Sequence, residues 1–337
     1  MSGFSKKAAI TIFLVLFMGF FFLPPISLRL KTFAAVINLL IPSENWRPLQ
    51  LFTPAPSKEV KTIRGASGRT LDINIYHPGR EANVAMIVYT PLIGAGAEDP
   101  RLVNLASTFS RLGLIVAVPF RQEEPRLVST KDAEDVISTA LFLKNESGLP
   151  IDRLGFFGIS YGSGPTITAS VDPQIKNLVS FIVSFGGFYD LEDTLSFIRT
   201  GEYAYQDIEG KREPHAYAKE ILSNTIAHYE MTEAELSKSE ILANLREKLS
   251  PSKVVEQMTA DVFVVHSTDD PYIPYTESMR LYDNLRRRPA AITMLALTTA
   301  FEHGEYKPYT LKNLRQYYLP SFVDFYKLLY TLLKKHI

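Results

Sequence analysis

The sequence predicts an α/β domain in which a mostly parallel central sheet is flanked by helices. Short apolar runs at 84–90 (VAMIVYT), 114–120 (LIVAVPF) and 178–185 (LVSFIVSF) lack polar alternation, as strands covered on both faces must. These runs alternate with stretches of helical spacing, such as Leu102, Leu105, Phe109 and Leu112, and such alternation builds a sheet with helices on each side. The rhythm stops after Gly187. Residues 190–258 are more polar, and a strand run returns only at 260–267 (ADVFVVHS). An insert leaving the C-terminal end of a parallel strand falls at the edge where ligands bind, so this one is placed to be a helical cap.

Along the chain, Lys6 and Lys7 precede an apolar stretch, 8–23, closed by Pro24-Pro25. Charge followed by such a run has the form of a signal peptide or signal anchor. Its 16 residues make about 24 Å of helix, slightly short of a ~30 Å hydrocarbon core, and extension to Leu28 makes the span adequate. The nearest small-residue cleavage signal, TFAA at 32–35, is weak, so residues 1–30 read as an uncleaved single-pass anchor rather than a leader lost on export. Lysines ahead and Arg29 and Lys31 behind leave the side of the membrane open. Residues 31–58 follow as an amphipathic segment and linker: 33–42 (FAAVINLLIP) either lies on a membrane surface or caps the domain, and 42–58 hold four prolines.

The α/β domain occupies 59–337. Residues 60–78 read as two strands around a glycine-containing turn, with alternation at Leu71, Ile73 and Ile75. A strand at 84–90 leads to a helix at 99–112, a strand at 114–120 and a helix at 129–145 opened by Ser129 or Thr130. The strand ending at Ile159 runs through a turn into a short helix, and the strand at 178–187 opens the insert, with helices over 214–230 and 233–249. Strand 260–267, helix 275–288, strand 290–299 and a helical stretch over 308–335, interrupted at Pro320, complete the order.

Composition excludes several functions. Lys+Arg and Asp+Glu both number 36, so there is no basic excess to neutralise a nucleic acid. The Arg286–Arg288 cluster follows a helix, where cations complement the dipole. With no cysteine, disulfides, thiolate nucleophiles and cysteine-ligated zinc are ruled out. The six histidines are scattered without H-x-x-x-H spacing, so neither a metal nor a cofactor is expected.

One stretch carries chemistry: G-I-S-Y-G, Gly158 to Gly162, where a strand ends and a helix begins. Glycines two before and two after a serine let strand and helix approach closely while the serine is held out. A serine hydroxyl attacks only if a base removes its proton, and a histidine does so when a carboxylate fixes its tautomer. His303, in FEHGEY after the last strand run, is the candidate base; His266 sits inside a strand run and reads as packed. The acid is Asp269 or Asp270 in the loop after strand 260–267, both also suited to a turn beside Pro271.

Ser160, an aspartate and His303, each after a strand and in that order, resemble the α/β-hydrolase superfamily over about residues 60–335. HSTDDPYIP is similar to the superfamily's G-x-x-D-x-x-[VI]-P stretch, with Ser267 where glycine is usual, and the match implies Asp270 as the acid. Asp190, after the strand preceding the insert, is a rival at a position some members use. The resemblance implies an oxyanion hole from the N–H of Tyr161 and one from loop 89–100, where Leu92 is the first donor and Ile93 the second because Pro91 has none. The expected activity is acyl-ester hydrolysis through a Ser160–His303–Asp270 triad on a small-molecule substrate. The SYG elbow and the DDPYIP stretch resemble dienelactone-hydrolase-like esterases and prolyl-oligopeptidase-like catalytic domains, and no propeller-like stretch is read here, so a carboxylesterase is favoured over a peptidase. Acyl transfer, or a non-catalytic tethered binding protein on the same fold, are the alternatives. Phe197, Tyr203, Tyr205 and Tyr217 in the insert either line the substrate pocket or pack the insert on the body.

Overall fold

The continuous apolar runs become strands buried along most or all of their length. The computed structural model describes residues 24–41, 47–121, 126–232, 235 and 239–337. Its strands are β1 Ser57–Arg64, β2 Thr70–His77, β3 Val84–Tyr89, β4 Ile115–Arg121, β5 Arg153–Ile159, β6 Val179–Phe185, β7 Glu202–Tyr205, β8 Ile208–Lys211, β9 Asp261–Ser267 and β10 Thr293–Thr298. Eight of them form one sheet in the order β1-β2-β4-β3-β5-β6-β9-β10. Only β2 runs against the rest, pairing antiparallel with β1 and β4. All residues of β3 and β9 are buried, which is why their sequences show no alternation.

The helices are α1 Pro24–Leu40, α2 Pro100–Arg111, α3 Asp132–Asn145, α4 Ser163–Ala169, α5 Leu191–Thr200, α6 Ala216–His228, α7 Glu240–Leu249, α8 Tyr275–Leu285 and α9 Leu319–His336. Helices α1, α2 and α9 bury apolar side chains on one sheet face, and α3, α4 and α8 on the other. Pro320 lies in the first turn of α9, which continues directly from a π-helical stretch, Leu314–Tyr318, so the interruption expected at the proline is a change of helix type just ahead of it rather than a break. The apolar stretch 8–23 lies outside the described residues, and among those described no helix is long and apolar enough to cross a membrane. The division expected at residue 30 falls within α1, whose Ala34, Ala35, Val36 and Leu40 are buried against the domain.

The insert between β6 and β9 holds α5, the β7–β8 hairpin, α6 and α7. Asp190 caps α5 by accepting the Glu192 N–H at 3.0 Å, and also receives Arg246 of α7 and the Ser252 hydroxyl, each at 2.8 Å. It is committed to tying the insert together. Glu277 of α8, 3% exposed, accepts the N–H groups of Tyr189 and Asp190 at 3.0 and 2.9 Å and so anchors the entry to the insert. Burial pushes this carboxyl up to about 7 from an ordinary 4.5.

Between 4.5 and about 7 the folded carboxyl holds a proton that the unfolded chain has released, so stability falls as pH rises through that window and stays lower above it. Asp135, pushed up to about 6 by burial, acts in the same direction. We expect Glu277→Gln to retain on the order of 2 kcal/mol that the wild type loses between about pH 5 and pH 8, read from urea midpoints at both values. Parallel pH profiles for the two proteins would contradict this.

Candidate active site

The turn after β5 places Ser160 at φ +55°, a region an L-residue occupies only under constraint. The constraint is close approach. A Cβ at Gly158 would sit 2.4 Å from Ser163 Cα, and one at Gly162 would sit 2.2 Å from the Tyr89 carbonyl oxygen. Only glycine lets the strand, the turn and α4 pack this tightly, and that packing holds the serine out at the sheet edge. Tyr161, next in the chain, is buried, and its hydroxyl donates to Asp132 at 2.8 Å. Asp132 is itself held by Arg69 at 2.7 Å and Arg121 at 2.9 Å, so a buried ion network fixes the elbow from its far side.

His303 occupies the tip of a two-residue hairpin between β11 Phe301–Glu302 and β12 Glu305–Tyr306. His303 at φ +40° and Gly304 at φ +102° give the sign pattern of a type I′ turn, and the Ser267 hydroxyl ties the hairpin to β9 through the Phe301 carbonyl at 2.5 Å. The imidazole Nδ1 lies 2.6 Å from Asp270 Oδ2. An ionised carboxylate only accepts, so Nδ1 carries the proton and Nε2 keeps its lone pair.

Asp270 is 2% exposed. Burial alone would raise its pKa; His303 and His266 more than offset this and hold the carboxyl well below the usual range. Its Oδ1 accepts the Tyr272 and Ile273 N–H groups at 2.7 and 3.1 Å. His266, fully buried, points Nε2 at the Ile273 carbonyl (3.0 Å), an acceptor, so that nitrogen is protonated and also lies 3.3 Å from Asp270 Oδ2. The neighbouring Asp269 pairs instead with Lys307 at 2.7 Å. Of the candidate acids, Asp270 alone meets His303; Asp269 and Asp190 are engaged elsewhere.

Ser160 and His303 line one cavity of about 360 Å³, together with Tyr161 and Leu92. No hydrogen bond joins the serine hydroxyl to the imidazole among the described residues. In the loop after β3, the Ile93 N–H donates to the Thr90 carbonyl at 3.4 Å, whereas the Leu92 N–H makes no hydrogen bond among the described residues. The Leu92 carbonyl is held by the Tyr217 hydroxyl of α6 at 2.7 Å. Tyr217 therefore lines the cavity, while Phe197 and Tyr203 pack on each other, and Tyr205 bonds Asp283 of α8.

Three contacts have no signature in the sequence. Tyr272 stacks on His303 at 4.1 Å and on His215 at 4.3 Å, and His215 caps α6 by accepting the Tyr217 N–H. Residues 215–217 of the insert thus brace both the imidazole and the Leu92 loop.

A family profile described as the prolyl oligopeptidase family matches residues 118–327, well over half of the chain. The chain belongs to the prolyl oligopeptidase family. The match runs from within β4 to within α9 and takes in Ser160, Asp270 and His303. Prolyl oligopeptidase family members are serine hydrolases on the α/β-hydrolase fold, and the sheet described above is that fold. The same architecture is found in Pyrococcus horikoshii acylaminoacyl peptidase (TM-score 0.56, 16% identity, 86% of this chain and 43% of that one). It is found also in carboxyl esterase 2 of the mycorrhizal fungus Tuber melanosporum (0.55, 16%, 84% and 88%) and the Pyrococcus furiosus esterase Pf2001 (0.50, 14%, 87% and 95%). This prolyl oligopeptidase family chain spans about two fifths of the length of the acylaminoacyl peptidases it matches. A comparison with curated protein sequences finds no significant match.

Proposed function

We propose that this protein hydrolyses carboxylic esters through an acyl-enzyme. Ser160 Oγ attacks the acyl carbonyl while His303 Nε2 takes its proton; the tetrahedral intermediate collapses as the C–O bond breaks and the same proton passes to the leaving alcohol. Water, deprotonated by His303, then attacks the acyl-serine and releases the acid. Asp270 holds the imidazole in the tautomer that leaves Nε2 free and stabilises the imidazolium. The N–H groups of Tyr161 and Leu92 receive the oxyanion, each worth about 3 kcal/mol in the transition state.

The observation that carries this reading is the 2.6 Å Asp270–His303 bond at the rim of a cavity that Ser160 also lines. The family match favours a second reading, peptide-bond cleavage by the same residues. An alkyl fluorophosphonate should label the full chain with one adduct per molecule, located by mass spectrometry on the peptide containing Ser160, and aryl esters should be cleaved faster than matched anilides. Absence of the adduct would end the hydrolase reading, and faster anilide cleavage would favour the peptidase.

A further inference from the structure

The cavity does not end at the catalytic groups. Beyond Ser160 and His303, its lining residues fall into two packing sets. One lies under the insert, with Leu191, Leu195 and Ile198 of α5 and Ile221 and Leu222 of α6. The other runs down the sheet face beneath α1, α2 and α9, with Val36, Phe109, Phe157, Val183 and Leu332. The depth of this second arm follows from chain geometry. Phe157 precedes Ser160 by three residues, about 10 Å along a strand, and α9 lines the arm from Phe325 to Leu332, about 10 Å of helix.

The chemistry of the inner arm is one-sided. The charged side chains on the cavity wall, besides His303, are Arg101, in the first turn of α2 and paired with Asp99 at 2.8 Å, and Glu305, on the hairpin that carries His303. The polar side chain of Asn104 is spent on the Asn38 carbonyl at 2.9 Å, joining α2 to α1. A peptide entering here would bury N–H and C=O groups without partners, at a cost of several kcal/mol each; a hydrocarbon chain would lose nothing.

We infer that the substrate acyl group is a long hydrocarbon chain and that it lies in the arm between the sheet and helices α1, α2 and α9, with the leaving group under the insert. This rests on the hydrolase reading above and adds the substrate class to it. Each methylene moved from water into the arm raises kcat/KM by up to about fourfold.

The test is a series of p-nitrophenyl esters from acetyl to hexadecanoyl, on the full chain in detergent, with fluorophosphonate labelling of the same preparations. The expected result is a kcat/KM that climbs with chain length and then levels off. Leu105→Trp, at a partly exposed position on the arm, and Leu332→Trp, deep within it, should each lower the ratio of long-chain to short-chain kcat/KM roughly tenfold or more. Ile198→Trp, under the insert, should leave that ratio within about twofold. Thermal midpoints identify any variant that fails to fold, and Leu105→Trp carries the test if Leu332→Trp does so. A labelled enzyme with a flat or falling chain-length profile overturns the inference and leaves the hydrolase intact, as does a ratio altered by Ile198→Trp but not by the other two. An unlabelled protein that cleaves no ester removes both.

Discussion

Ser160→Ala is expected to lower kcat for ester hydrolysis by about 10⁶-fold, and adding His303→Ala to it should lower kcat little further. The two side chains act on one proton: the hydroxyl has no nucleophilic character without the base, and the base has nothing to activate without the hydroxyl. Their losses therefore do not add. What survives in either variant is binding and the oxyanion donors, which still leave the reaction about 10³- to 10⁴-fold faster than in water. Single, double and wild-type rates on one aryl ester, measured with active-site titration to exclude wild-type contamination, decide the matter. A double variant slower than either single by a further factor comparable to one of them would mean that Ser160 and His303 work independently, and the proposed mechanism would be wrong.

Much of this arrangement is legible in the sequence because local rules dictate it. Strands covered on both faces have to be continuous apolar runs, and the elbow glycines are forced by contacts of 2.4 and 2.2 Å that no side chain could occupy. His303 followed by glycine after the last strand run marks a hairpin tip in retrospect, since both central residues of a type I′ turn need positive φ.

The parts that were not legible are those set by contacts distant in sequence. The Tyr217 hydroxyl reaches the Leu92 carbonyl across 125 positions, and nothing near either residue announces it. The aromatic residues of the insert are alike in sequence, yet only the packing of α6 over the loop sends Tyr217 into the cavity while Phe197 and Tyr203 stay in the insert. Likewise α1 spans a boundary that composition places between an anchor and a linker, because its burial depends on α2 and α9. His266 reads as a packed strand histidine and is one, but its second role beside Asp270 depends on the fold of the following loop.

Asp270→Asn is expected to lower kcat about 10⁴-fold with the fold intact, whereas Asp269→Asn should change kcat by no more than a few-fold. The asparagine keeps a carbonyl oxygen for the Tyr272 and Ile273 N–H groups, so the loop retains its shape. Its amide, however, would turn a donor toward His303 Nδ1, which favours the tautomer with the proton on Nε2 and so removes the base. The negative charge that stabilises the imidazolium is lost as well. Asp270 is suited to this role because, although buried, it stays ionised: burial works against its charge, and two imidazoles with two backbone N–H groups more than compensate. His266 then makes the consequence sharper, because its protonated Nε2 is already turned toward the Ile273 carbonyl and cannot serve as a substitute base. The measurement is kcat on an aryl ester beside the thermal midpoint of each variant. Equal losses in the two asparagine variants, or a larger one at Asp269, would assign the acid to the wrong neighbour.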